Sequence, residues 1–283
     1  MKKTTILILL LLVILYFPSP FSNFIPIWLA NFWRTDPCYT HGFLIIVISC
    51  VIAWWNVRDY KKSEPEDNPE SYKPGIYVFA FGLILYIIGI IKLFPFLSAL
   101  SFLFTTSGLI LYFYGKPLMH ALLFPIAYLI FAIPLPPEFL GKVANALQTL
   151  SSYFPALILE MLGITVTRTG AEIQLEDAAF IIGLPCSGMN SLISLLAIAT
   201  LFIYILRCPL YKKIILLCIT PPLAILANII RVTSLLLIAN AYGAETATGF
   251  YHTLFSPLLF IIALILLILI SSLFGCRVAG RAK

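Results

Sequence analysis

The chain has 283 residues, 61% hydrophobic and only 11% charged, with a formal net charge of +6. Soluble proteins average about 25% charged residues, so this composition and a mean hydropathy of +1.03 exclude an ordinary soluble domain and indicate a polytopic membrane protein. The basic residues sit in short clusters beside apolar runs, the positive-inside pattern, which argues against nucleic acid as the partner of the excess charge.

Eight apolar runs follow one another, at 4–21, 43–57, 75–94, 96–115, 118–136, 187–206, 214–240 and 254–274. Each approaches the ~20 residues that a helix needs to cross the hydrocarbon core. The first, after Met1-Lys2-Lys3, imitates a signal peptide. A cleavage site needs two spaced small residues, and Trp28 stands two before Ala30, the nearest candidate. The segment is therefore read as an uncleaved first span.

Lys and Arg then sort by side. Lys2, Lys3, Arg58, Lys61, Lys62, Lys73, Lys116, Arg207, Lys212, Lys213, Arg277, Arg281 and Lys283 fall on one side; Arg34, Lys92, Lys142 and Arg168 fall on the other. The asymmetry predicts cytoplasmic N- and C-termini. Residues 58–73 become a cytoplasmic loop rich in Pro, Glu and Lys. Residues 137–185 become the longest extracytoplasmic segment. In it, Phe139, Val143, Leu147, Leu150 and Phe154 recur at helical spacing, which predicts a short amphipathic helix over 138–162 lying on the outer surface. Residues 164–175 alternate around Thr169-Gly170, the pattern of a small hairpin. The expected fold is an all-α integral membrane protein: one polytopic domain, 1–283, with a bundle of about eight transmembrane helices.

Three residues then stand out, because this topology brings each of them to the outer leaflet or its edge. Cys186 follows Gly183-Leu184-Pro185 where the sixth run begins. Proline favours the first helical turn, so the thiol is expected at or near a helix N-terminus, where the helix dipole favours thiolate over thiol. Arg231 lies deep in the seventh run. An arginine there costs about 2.5–3.5 kcal/mol on insertion scales, which makes it a functional candidate. At ~1.5 Å per residue from Ile214 it lies roughly 26 Å up a core about 30 Å thick. The bland alternative is a snorkelling arginine or an interhelical strut. His252 falls at the outer start of the eighth run. A thiol, a fixed cation and an imidazole are the parts of a cysteine transferase: nucleophile, oxyanion donor and general acid–base. The division of labour between Arg231 and His252 stays open.

At these residues the chain resembles the exosortase/archaeosortase family of integral-membrane sorting enzymes. The resemblance rests on Asp36-Pro37-Cys38-Tyr39-Thr40-His41-Gly42-Phe43-Leu44, on Cys186-Ser187-Gly188, on Asn228-x-x-Arg231 and on Gly249-Phe250-Tyr251-His252. The archaeal branch usually carries arginine at the third position, so His252 points to the bacterial exosortase branch. The resemblance implies a cysteine transpeptidase or thiol protease in the inner membrane, its site facing the periplasm. Its substrates would carry a C-terminal signal: a short motif such as Pro-Glu-Pro, one hydrophobic span and a basic tail. The acceptor would be a lipid- or glycan-linked amine, or water. Thr40 stands where serine is commoner, and Met189-Asn190 follow the Cys-Ser-Gly core; these departures bear on the substrate subtype.

Around the trio, His41, Ser187, Gly188, Asn190 and Asn228 are the expected supporting or substrate-binding residues. His41 is the main rival to His252 and is expected to orient substrate or support the site. No metal and no cofactor are expected. Cys38 and His41 make only two ligands, too few for a closed site, and the six cysteines show neither CxxC nor zinc spacing. Most of them fall in or behind apolar runs, so a disulfide scaffold is not expected either. Two other readings remain: a transporter or flippase subunit using Arg231 as an anion site, and a non-catalytic assembly subunit for extracellular polysaccharide export. A transporter should tolerate Cys186→Ala; an assembly subunit should tolerate loss of the whole trio.

Overall fold

Small residues decide how closely the first helices pack. The computed structural model describes residues 10, 12, 16, 25–63, 71–175, 179–183, 186–247 and 252–278, and of 244, 252, 253 and 256 the backbone only. Most of the first apolar run, residues 64–70, Leu184-Pro185, Gly249-Phe250-Tyr251 and the last residues lie outside that set. The structure is mostly helical, and it divides into two compact units, residues 1–136 and 137–283.

The first unit holds α1 (Ile25–Thr35), α2 (Gly42–Ser63), α3 (Gly75–Ile91) and α4 (Pro95–Tyr128), followed by a 3₁₀ turn at Leu129–Ala132. Gly75, Gly82 and Gly89 recur every seventh residue on the buried side of α3. A Cβ on Gly82 would lie 2.6 Å from the backbone N of Thr105 on α4, so the two backbones meet with nothing between them. The sequence pattern divides α4 into two runs at 115, and the structure breaks there: Gly115 has φ 77° and ψ −174°, a conformation that only glycine adopts readily. Helical Tyr16 is tied to α4 by hydrogen bonds to Ser101 Oγ (2.7 Å) and Thr105 Oγ1 (3.0 Å).

The second unit holds α5 (Pro137–Met161), β1 (Thr167–Thr169), β2 (Glu172–Gln174), β3 (Ala179–Ile181), α6 (Met189–Ile205), β4 (Leu206–Arg207), α7 (Leu210–Tyr242), a single turn at Ala244–Thr246, α8 (His252–Leu273) and β5 (Arg277–Val278). The helix predicted over 138–162 is α5. It buries Ala144, Leu147, Ser151, Ser152, Pro155 and Leu159, while Phe139 and Phe154 of the sequence stripe stay exposed. The predicted hairpin forms as β1–β2, with Thr169 opposite Glu172. Of its two turn residues only Gly170 has positive φ (64°), as a type II′ turn requires. A third antiparallel strand, β3, extends it with Glu172 opposite Ile181.

Among the described residues, three helical stretches are long and apolar enough to cross a membrane: Gly42–Lys62, Pro95–Ala132 and Leu210–Tyr242. Gly75–Ile91, Met189–Ile205 and Pro257–Leu273 are shorter and equally apolar in character. A disulfide joins Cys208 to Cys276 beside the β4–β5 pair, a link the cysteine spacing did not suggest. It became possible because the end of α6 and the segment after α8 meet through that two-stranded ribbon.

Candidate active site

Cys186 and Arg231 are brought together in the second unit. α7 packs against α5, α6 and α8, so a residue on its buried face sees all three neighbours. Val232, Leu236 and Ala239 of α7 form a core with Leu159 of α5 and with Ile173, Leu175 and Ile182 of the small sheet, and Cys186 packs against that core. Ile173 of the hairpin is fully buried in that core.

Cys186 lies in a turn, its N–H donating to the Gly183 carbonyl (3.0 Å). The sequence placed it at or near a helix N-terminus. In the structure α6 begins three residues later, at Met189, with Gly188 as its N-cap. Gly188 has φ 87°, and this left-handed residue turns the chain from the cysteine loop into the helix. Side chains are also excluded there, since a Cβ on Gly188 would lie 2.7 Å from Asn228 Cγ. The Arg231 guanidinium, only 5% exposed, hydrogen-bonds to the Cys186 side chain.

The cysteine loop is held by a small polar network. Asn228, one turn before Arg231 on the same face of α7, donates through Nδ2 to Ser151 Oγ (2.7 Å) and to the Cys186 carbonyl (3.1 Å). Ser151 Oγ–H donates to the Ser187 carbonyl (3.3 Å), and Ser187 Oγ accepts from Met189 N–H (3.3 Å). Ser187, Gly188 and Asn228 therefore lie beside Cys186. Asn190 is the second residue of α6 and half-buried. Ser151 was missed. Its signal was weak: a Ser-Ser pair on a helix read for its apolar stripe.

A narrow cleft opens beside this pair, between α6, α7 and α8, lined by Ser191, Ala224, Asn228, Arg231, Leu259 and Phe260 among others. His252 is the first residue of α8, in the same unit, and its side chain is outside the described set.

His41 belongs to the first unit. Its ring N–H donates to the Phe131 carbonyl, and burial pushes the imidazole below its usual value of 6.5, against the opposing effect of that hydrogen bond. Beside it, Tyr39 is 1% exposed and its hydroxyl accepts from Leu135 N–H (2.9 Å). Cys38 lies on a loop closed by its N–H to Asp36 Oδ1 (2.8 Å); burial, and then the Asp36 charge, push its thiol up to about 12. A thiol so shifted stays protonated and unreactive at neutral pH. Among the described residues, His, Cys, Asp and Glu do not gather in threes around any point that would hold a metal.

No curated protein and no solved structure matches the chain. The sequence model of transmembrane exosortases matches residues 33–269, a range that runs from α1 through most of α8 and includes the Cys186 loop, Arg231 and His252. A match of that extent makes this chain a member of the transmembrane exosortase family.

Proposed function

We propose that the protein is a membrane cysteine transpeptidase that cleaves C-terminal sorting signals at the outer face of the cytoplasmic membrane. The observation that carries this reading is the hydrogen bond between the buried Arg231 guanidinium and the Cys186 side chain. A charge is rarely buried without a partner, and here the partner is the one group that becomes a nucleophile when it loses its proton.

Cys186 thiolate, stabilised by Arg231, attacks the carbonyl carbon of the scissile peptide bond. The C–N bond breaks as His252 gives its proton to the leaving amine, and a thioester to Cys186 remains. His252 then takes a proton from the incoming amine, or from water, as that nucleophile attacks the thioester and releases the thiolate. Arg231 also donates to the oxyanion that develops in each half. The substrates are membrane-anchored proteins ending in a motif, one hydrophobic span and a basic tail.

The test is processing of a co-expressed protein carrying such a signal, in cells with Cys186→Ala or Cys186→Ser at membrane abundance equal to wild type. Loss of processing by more than about 100-fold is expected. Unchanged processing would remove the thiol mechanism and favour a transport or assembly role.

A further inference from the structure

Asn228 does more than its sequence neighbours suggest, because its amide is used on one side only. The Cys186 carbonyl can only accept, so the Asn228 atom 3.1 Å from it is the donor Nδ2, and the other amide atom is fixed as Oδ1. Both Nδ2 hydrogens are engaged, on Ser151 and Cys186. Oδ1 is buried, in a side chain only 4% exposed, and accepts from no donor among the described residues. Asn228 lines the cleft beside Arg231. Ser191 and Arg231 share that lining but do not donate to this oxygen, and the other lining side chains are apolar. Among the described residues this oxygen thus lacks a donor, in a side chain that lines the cleft beside Arg231.

We infer that Asn228 is a substrate-positioning residue, its Oδ1 accepting a main-chain N–H of the peptide next to the bond that Cys186 attacks. The inference rests on the cysteine reading proposed above. A peptide must be extended, not helical, where it is cut, and inside an apolar environment each freed N–H needs an acceptor. Asn228 grips the carbonyl of Cys186 itself, so its free oxygen lies one side chain away from the nucleophile. Consecutive residues of an extended chain are spaced about 3.3–3.6 Å, so an N–H neighbouring the attacked carbonyl is in reach. Apolar substrate side chains would meet Leu259, Phe260 and the alanines of the cleft.

The full chain in lipid nanodiscs is assayed with a synthetic sorting-signal peptide and with analogues. Each analogue replaces one main-chain N–H near the cut, other than the cleaved amide, by N-methyl or an ester. In wild type one analogue should lose about ten-fold in kcat/KM, mostly through KM; in Asn228→Ala the same analogue should lose less than about two-fold relative to the parent peptide. Asn228→Leu, close in volume and without polar atoms, gives the same readout if the alanine variant folds poorly. Each penalty is a ratio to the parent peptide on the same protein, so a general loss of Cys186 reactivity in a variant cancels. Equal penalties in wild type and variant would overturn the inference and leave Asn228 as a brace for the loop. Processing by Cys186→Ala would overturn the cysteine reading itself, and with it this inference, so the two failures are told apart.

Discussion

Arg231 commits a buried guanidinium to Cys186, and nothing on its own helix explains that choice. Arginine offers a planar fork of donors that lysine cannot reproduce. Arg231→Lys and Arg231→Ala are therefore both expected to lower substrate processing by about 10²–10³-fold, with slower iodoacetamide alkylation of Cys186; normal alkylation in both would make Arg231 a packing residue. His41 behaves differently. Burial lowers its folded pKa beneath the unfolded value of 6.5, so neutral imidazole is favoured in the folded state. Its contribution to stability is complete above about pH 6.5 and is lost as pH falls through the folded value. Thermal unfolding in detergent should drop by a few degrees between pH 7.5 and 5, and His41→Gln should flatten that slope. An unchanged slope would show that His41 is not the titrating group.

α3 and α4 pack through backbone, and α6 and α7 meet at side chains. The Gly75–Gly82–Gly89 stripe leaves no space for a Cβ against α4, so Gly82→Val must push the helices apart. A loss of about 1–3 kcal/mol is expected, read as earlier unfolding in a detergent or denaturant series; a neutral outcome would mean that the pair is looser than the structure shows. Around the site the same physics acts at one residue. Gly188 combines a left-handed backbone with contact against Asn228, and so sets the entry to α6 and the place of Cys186 together. The small sheet contributes by burying Ile173 in the core against which Cys186 packs.

Orientation in the bilayer belongs to the whole molecule. The charge asymmetry predicts residues 137–185 outside and 58–73 inside. In intact cells, Thr169→Cys on the exposed hairpin should react with a membrane-impermeant maleimide above the parent's own labelling, while Lys61→Cys should react only after lysis; the reverse result would invert the proposed site. Much of this protein was legible in its sequence. Helical apolar runs follow from composition and period, the division near residue 115 from the gap between two such runs, and the hairpin from Thr169-Gly170, because each is a local property of a few neighbouring residues. Membership of the transmembrane exosortase family was legible too, since motifs such as Cys186-Ser187-Gly188 and Asn228-x-x-Arg231 are strings. What the tertiary structure decided is which atoms meet. The Ser151–Asn228–Cys186 network and the Cys208–Cys276 link both join segments distant in the chain. Periodicity reports which face of a helix is apolar, but the partner of that face is fixed only when whole helices pack. Arg231 shows the difference: the sequence marked it as costly, and the fold supplied the Cys186 thiol as its hydrogen-bond partner.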